Sequence, residues 1–516
     1  MRRPYILPRN AFMICVAVTG KDTAAVLEDM QAVAGLADFI EIRLDYVADP
    51  DLQAILAAKP CPLIATCRPA SEGGHWRGSE EERIALLKKA VEVGFEFVDA
   101  EMGCESHFRE RGAARLIVSY HNFQETPKNL FEIHGRLVAA GADIAKVVTT
   151  ANSILDNLRV FELLQNVQVP TISMCMGELG IISRILAPRF GGFLTFASIA
   201  RGRESAPGQI SAADLRYLYR VHKINRQTAV YGVIANPVAH SMSPAIHNAA
   251  FAAKAIDAVY LPFKVENVVE FIKAFRTLNV QGYSVTIPHK ENAIKAVDEV
   301  DSFVRQIGAL NTIVNRNGRL YGYNTDWLAA ISAIEKVMTN APADNLHLQS
   351  AIRNPQSAIS PLQGKRVALL GAGGTARAIA FGLRHRGASI SILNRTVERA
   401  EQLAKEVGCQ WGPIGHLGRL EYDVLVNTTS IGMHPKVDET PAPAELLRKG
   451  LVVFDAVYNP PVTRLLREAQ AAGCITASGV DMFVGQAVAQ FELWTGQPAP
   501  VEVMREVVMR RLTGKS

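Results

Sequence analysis

Between Met13 and Ile199 the sequence repeats one pattern eight times: a short run rich in β-branched residues, then a stretch with helical spacing. The strand runs read MICVAVT, FIEIRLD, PLIATCR, FEFVDAEM, ARLIVSYH, IAKVVTT, VPTISMCM and GFLTFASI. Strand and helix in alternation is the mark of parallel βα units. Among the helix-compatible stretches is SEEERIALLKKAVEVG, where Ser79 and Glu82 have the spacing of a capping box. Eight units in about 220 residues fit the smaller end of the (β/α)8 TIM-barrel range; a doubly wound sheet is the alternative.

The chain has 516 residues, too many for one hydrophobic core, so two or three domains are expected. Its balance, 48% hydrophobic and 20% charged, is that of a globular protein rather than a disordered one. A net charge of +5 without a dense Lys/Arg block falls short of a nucleic-acid footprint and suits anionic small molecules better. The 7 cysteines are scattered and contain no CxxC pair, which suggests neither a disulfide framework nor a metal site. No uncharged apolar run approaches the roughly 20 residues of a membrane span, and the strand-like MICVAVT follows the start closely. The expectation is a cytoplasmic protein with reduced thiols.

In a barrel, polar residues late in the strands should line the catalytic mouth, because the interior beneath is filled by apolar side chains. Glu41, Arg43 and Asp45 end the second strand, Arg68 and then Glu72 follow the third, and His121 ends the fifth. For Glu41, Asp45 and Glu101 a structural ion pair is an equal reading. Lys146 lies inside IAKVV. Burial there would disfavour the ammonium and yield the free amine that attacks carbonyls, unless the lysine snorkels to the rim or pairs with Glu41. His121 is a base of near-neutral pKa at an adjacent strand end, and Glu72 could orient its ring.

These residues resemble a known family, the type I 3-dehydroquinate dehydratases. EIRLD, TCRPASEGG, SYHNF, IAKVV, GIISR and SAPGQ stand in the family's order over nearly all of residues 10–222. The resemblance implies that Lys146 forms a covalent imine with the C3 ketone of 3-dehydroquinate. His121 would remove a C2 proton and help expel the C1 hydroxyl, with Glu72 holding His121, and no metal is needed. It further implies that Arg184 clamps the substrate carboxylate and that Glu41, Arg43 and Arg68 contact ring hydroxyls or organise the lysine. Ser205 and Gln209 would sit on a loop that closes over substrate. Ala17 departs from the pattern, since some members carry a hydroxyl there.

The helix SAADLRYLYRVHKIN closes the first half, and a short polar join leads to a second α/β pattern: AVYGVIANP, VYLPFKV, GYSVTIP, LNTIVN and YGYNTD. The polar stretch from about Thr339 to Pro361 reads as a surface loop. Then RVALLGAGGTARAIAFGL carries an apolar strand into Gly371, Gly373, Gly374 and Ala376 at the mouth of a helix, a GxGxxA dinucleotide fingerprint. The next strand, SISILNRT, ends in Asn394, Arg395 and Thr396 instead of a carboxylate, with Arg399 one turn on. A guanidinium at that place favours the 2′-phosphate of NADP(H) over NAD, a surface arginine being the alternative. Lys290 and Asp326, each following a strand, could shuttle a proton to or from an alcohol oxygen while hydride moves.

This half resembles the shikimate dehydrogenases, through NPVAHSMSPAIHN, VTIPHK, ALNT, YNTD, GAGGTARA, NRT and VGQA, over about residues 229–512. The resemblance implies that Ser241 and Ser243 bind the substrate carboxylate, Thr286, Asn311 and Gln486 bind ring hydroxyls, and Lys290 with Asp326 form the catalytic pair. Tyr458 and Gly479 would border the nicotinamide or substrate. Helix capping is the other reading of the two serines. The predicted layout is a barrel over 1–224, an open α/β substrate domain over 229–338 completed by C-terminal helices 487–516, and a Rossmann NADP domain over 361–486.

The order of the halves resembles the fused dehydratase and dehydrogenase of plants and some bacteria, in which 3-dehydroshikimate made by the first site becomes shikimate at the second. A bacterial cytosol is favoured, with a plastid stroma open. The competing expectations are a second half that prefers quinate and NAD, and a catalytically silent metabolite sensor. The latter would be marked by loss of a catalytic group, yet Lys146, His121, Lys290 and Asp326 are all present.

Overall fold

A computed structural model describes residues 12–339 and 360–514. The expected surface loop near 339–361 lies almost wholly outside the described residues. Contacts divide the chain into two compact units: residues up to 229 with 257–265, and 230–256 with 266 onward.

The first unit holds strands β1 (Met13–Val18), β2 (Phe39–Arg43), β3 (Leu63–Thr66), β4 (Phe97–Glu101), β5 (Arg115–His121), β6 (Ile144–Thr150), β7 (Thr171–Met176) and β8 (Leu194–Ser198). Their order in the sheet is β7-β6-β5-β4-β3-β2-β1-β8, with the short β9 (Ile210–Ser211) added beside β8. The pairings among them are parallel, as the strand and helix alternation requires. The sheet curls so far that one apolar cluster draws on all eight strands, including Cys15, Phe39, Ile64, Phe97, Ile117, Ile144, Ile172 and Leu194.

The period of two along each strand then stacks the interior in layers. Above Phe39 come Glu41 and Arg43; above Ile64, Thr66 and Arg68; above Phe97, Asp99 and Glu101; above Ile117, Ser119 and His121; above Ile144, Lys146. An apolar floor thus carries a polar middle layer and a charged upper one.

Two local expectations change. Residues 211–225 are not one helix: Arg220 takes a left-handed φ of 50° between a π-helical turn, Asp214–Leu218, and a 3-10 turn, Val221–Lys223. Asp45 lies beyond β2, in the turn Leu44–Tyr46. The capping box of Ser79 and Glu82 is present at the start of helix Glu80–Val93.

Next along the chain, β10 (Ala229–Ala235), β11 (Ala258–Lys264), β12 (Gly282–Val285), β13 (Glu299–Val300), β14 (Thr312–Arg316) and β15 (Arg319–Tyr323) belong to a mixed sheet of order β11-β10-β12-β14-β15-β13, β11 being the segment grouped with the first unit. Helix Gly479–Thr495 docks on it: Trp494 Nε1 donates to Ile313 O at 3.0 Å, and Ser284 Oγ donates to Gln490 Oε1 at 2.7 Å. A parallel sheet follows, made of β16 (Arg366–Leu370), β17 (Ser389–Asn394), β18 (Gln410–Pro413), β19 (Val424–Asn427), β20 (Val452–Asp455) and β21 (Ile475–Ser478). Its order, β18-β17-β16-β19-β20-β21, turns back at β16, the strand that feeds the glycine loop. A doubly wound sheet binds ligands in the crevice at such a switch point. Among the described residues no helix is long and apolar enough to cross a membrane.

Arg83, on helix Glu80–Val93 and 1% exposed, ties that helix to the barrel: it donates to Cys67 O at 2.7 Å and to Glu101 Oε2 at 2.8 Å. Arg83→Ala strands part of a buried carboxylate and should cost about 3 kcal/mol. A lower urea midpoint for the barrel's unfolding checks this; an unchanged midpoint contradicts it.

Candidate active sites

One cavity at the barrel mouth is lined by Glu41, Arg43, Arg68, Glu72, His121, Lys146, Arg184, Ser205 and Gln209, so the nine residues expected there converge. Lys146, 5% exposed, stands on β6 in register with Ser119 and Ile172. Its sequence neighbours Ala145 and Val147 point away, and it faces charge instead of an apolar wall. Nζ donates to Asp99 Oδ2 at 2.7 Å, approaches Glu41 Oε1 at 3.4 Å, and lies 4.2 Å from the Phe196 ring centroid. The pairing with Glu41 that rivalled a catalytic reading is therefore the longer contact, and Asp99 supplies the shorter one.

Asp99 was not singled out from the sequence. Its signal was the alternation of FVDAE, which puts Phe97, Asp99 and Glu101 on one face of β4. Its Oδ1 accepts from Arg68 Nη2 at 2.8 Å and Ser119 Oγ at 2.6 Å. Arg68 also donates to Glu101 at 2.7 Å. Burial alone would raise the Asp99 carboxyl, but Arg68 and Lys146 overcome it and hold the group well below the usual carboxylate range.

His121 Nδ1 lies 3.2 Å from Glu72 Oε2. Burial, reinforced by the positive charges of Arg68 and Lys146, holds the imidazole well below its ordinary value, so the ring is neutral. Burial pushes the Glu72 carboxyl up to about 7, against the opposing pull of Arg68. Arg43 makes a two-pronged contact with Asp45 at 2.9 and 2.7 Å. Ser205 and Gln209 bond each other, Gln209 Nε2 donating to Ser205 Oγ at 3.0 Å.

Arg184 is 1% exposed, and its guanidinium meets no carboxylate among the described residues. It donates to Met174 Sδ at 3.0 Å and to two backbone carbonyls at longer range, while Nε has no partner. Burial brings it down to about 10, still charged at neutral pH. A buried, charged and poorly paired arginine is suited to a carboxylate.

The second unit has its own cavity, lined by Ser241, Ser243, Thr286, Lys290, Asn311, Asp326, Tyr458, Gly479 and Gln486. Lys290 Nζ donates to Asp326 Oδ2 at 2.6 Å, and Asn311 Nδ2 donates to Asp326 Oδ1 at 2.8 Å. Thr325, missed from the sequence, completes the cradle: its backbone N–H donates to Asn311 Oδ1 at 2.7 Å. Ser243 begins helix Ser243–Ala253, and its N–H donates to Ser241 Oγ at 3.3 Å. Tyr458 stacks on Phe483, which shares a helix with Gln486, at 4.5 Å between centroids.

Thr375 brings the edge of the glycine loop into the same cavity, together with Thr428 and His434; the remaining expected cofactor residues lie outside its lining. Gly371 has a φ of 112°, and a Cβ there would stand 2.5 Å from Thr428 Oγ1. Gly373 caps helix Gly374–His385, and a Cβ on Gly373 or Gly374 would meet nothing within 4 Å, which leaves room for a phosphate at the helix N-terminus. Ala376 is buried against the fold. At Gly479 a Cβ would come within 2.4 Å of Val457 O, so that close approach requires glycine. Asn394 Nδ2 reaches Thr396 O at 2.9 Å, while Arg395 and Arg399 are exposed and make no ion pair among the described residues. No group of three or more metal-ligating side chains occurs among the described residues.

Comparison with known proteins follows this division. Residues 14–226 match the type I 3-dehydroquinase family, 233–313 the shikimate dehydrogenase substrate binding domain, 354–440 the shikimate/quinate 5-dehydrogenases, and 479–509 the shikimate 5′-dehydrogenase C-terminal domain. Together they define a lyase of the dehydroquinase class fused to a dehydrogenase of the shikimate class. A chloroplastic bifunctional 3-dehydroquinate dehydratase/shikimate dehydrogenase from Arabidopsis thaliana is 42% identical over 97% of this chain and 85% of its own. The chain belongs to that bifunctional family. A shikimate dehydrogenase (NADP(+)) of Bacillus mycoides is 40% identical over 55% of this chain and 99% of its own. A crystal structure of shikimate dehydrogenase with NADP+ aligns at a TM-score of 0.50 and 37% identity, covering 56% of this chain and 97% of that one.

Proposed function

We propose that the barrel dehydrates 3-dehydroquinate to 3-dehydroshikimate through an imine on Lys146, and that the second half reduces this ketone to shikimate with NADPH. The observation that carries the first step is the pairing, in one cavity, of a buried lysine amine with a buried arginine that meets no carboxylate. Arg184 takes the substrate carboxylate and sets the ring over Lys146. The amine adds to the C3 carbonyl carbon, and the carbonyl oxygen leaves as water. The resulting positive imine draws electrons from the neighbouring C–H, whose proton passes to neutral His121. His121 then protonates the departing C1 hydroxyl, and water releases the lysine. Glu41, Arg43 and Arg68 orient the ring, and the Ser205 and Gln209 loop covers it.

In the second half, Ser241 and Ser243 receive the carboxylate, and Thr286, Asn311 and Gln486 receive the ring hydroxyls. Lys290 donates a proton to the ketone oxygen, and Asp326 holds and aims the lysine. The residues fit NADP(H): Gly371, Gly373, Gly374 and Ala376 would cradle its phosphates in a Rossmann-type loop, Asn394, Arg395, Thr396 and Arg399 would hold the 2′-phosphate, and Tyr458 and Gly479 would border the nicotinamide. When bound, NADPH supplies the hydride. We assign the barrel to 1–224, the substrate domain to 229–338 with 487–516, and the cofactor domain to 361–486. A bacterial cytosol is the proposed setting, with a plastid stroma as the counterpart of the Arabidopsis relative.

Borohydride reduction in the presence of 3-dehydroquinate should leave a stable adduct on Lys146, read by peptide mass spectrometry; an unlabelled Lys146 sinks the imine. Lys146→Ala should abolish dehydration and leave shikimate oxidation near normal, whereas loss of both activities in a folded variant contradicts separate sites. The pH dependence follows from Glu72. When ionised, it accepts from Nδ1–H of His121 and leaves Nε2 as the free base; when protonated, it donates to Nδ1 and the proton sits on Nε2. The dehydration kcat should therefore rise with pH through about 7, and Glu72→Gln should lower kcat and flatten that limb; an unaltered profile in the variant contradicts this. Arg395→Ala should raise KM for NADP by about 10- to 100-fold, the loss of a charge-assisted contact, with little effect on NAD. A wild-type kcat/KM with quinate and NAD above that with shikimate and NADP would overturn the substrate assignment.

A further inference from the structure

We infer that Asp99 is a further catalytic residue of the dehydration: the fixed counter-ion that holds a positive nitrogen at Lys146, first as ammonium and then as protonated imine. The inference rests on the imine reading of Lys146. Asp99 is 0% exposed and does not line the cavity, so it lies behind the amine, away from the space a ring would fill. One oxygen meets Nζ at 2.7 Å, and the other is pinned by Arg68 and Ser119. A carboxylate held by three donors cannot follow the substrate; it marks the place where positive charge is stabilised.

The chemistry asks for such a mark. The ammonium gives up one proton and the neutral amine adds to the carbonyl carbon; that proton is then returned as the carbonyl oxygen departs as water, and the nitrogen remains as an iminium with a single N–H. That N–H keeps Asp99 Oδ2 within reach after the other hydrogens are gone. The remaining groups around Nζ do not replace it. Glu41 stands at 3.4 Å and already accepts from Thr66 at 2.9 Å. Arg68 is positive, His121 is held neutral, the Cys15 thiol is kept protonated by burial, and Phe196 offers only its ring face. A positive nitrogen in this buried layer is costly without a carboxylate beside it.

The full chain provides the test. Amidination of Lys146 by methyl acetimidate needs neither Glu72 nor His121, and its pH dependence, read by peptide mass spectrometry, follows the amine directly. Asp99→Asn should lower the midpoint by about one pH unit or more, because the ammonium loses its partner. The dehydration kcat should fall about 100-fold, because the iminium loses the same partner. Ser119→Ala removes a donor from Asp99 and leaves Lys146 untouched; the carboxylate then pulls harder on Nζ and the midpoint should move up. A folded Asp99→Asn variant with unchanged midpoint and kcat overturns the inference, and where that variant fails to fold, an unchanged midpoint in Ser119→Ala overturns it. Absence of a borohydride adduct in the wild type would instead remove the imine reading itself.

Discussion

Charge taken out of water has to be compensated, and the barrel meets that demand with one connected set of side chains. Lys146, Asp99, Arg68, Glu101 and Arg83 form a chain of alternating sign from the cavity to the outer helix, each link at 2.7 to 2.8 Å. Losing any single member leaves its neighbour charged and unpaired in a low dielectric, which costs more than the pair contributes. The chain therefore fixes the amine as firmly as any apolar packing would. It also explains how a lysine can be almost fully buried above an apolar floor that includes Ile144 of its own strand and Phe97 of β4.

Arg184 stands outside that chain. It is as buried as Arg83 but meets a thioether and carbonyls where Arg83 meets carboxylates. An arginine left so poorly paired makes the empty site less stable than it could be, and an anionic ligand recovers the difference on binding. Arg43 and Arg68 are already tied to carboxylates, so of the three arginines lining the cavity Arg184 is the one with capacity for another.

Much of this is legible in the sequence. Runs rich in β-branched residues separated by helical stretches imply the parallel barrel, and the polar residues late in those runs imply its mouth. Asp99 was hidden because a strand's own pattern says which face a residue occupies but not which neighbour it meets. That depends on register across β4, β5 and β6, where Glu101, Ser119 and Lys146 align. The break at Arg220 was hidden for the opposite reason: a helical pattern persisted through residues 211–225, and a single left-handed backbone angle overrode it. In the second unit the pair Lys290 and Asp326 was readable as two strand-end residues. Asn311 was expected only at a ring hydroxyl; that it also orients the aspartate, with Thr325 holding it, shows only where the two loops meet.

The two lysines show how burial divides chemistry between groups of the same kind. Both are paired to an aspartate at hydrogen-bond distance, 2.7 Å for Lys146 and 2.6 Å for Lys290. Lys146 and Asp99 have side chains 6% and 0% exposed, whereas Lys290 and Asp326 are 31% and 15% exposed. In the proposed mechanism Lys146 forms a bond through its nitrogen, and such a lysine gains from being held on all sides, since a covalent step tolerates little misplacement. Lys290, proposed to hand a proton to an oxygen, has to regain it after each turnover, and partial exposure gives it that path. Fusing the two in one chain leaves each in the environment its own step requires.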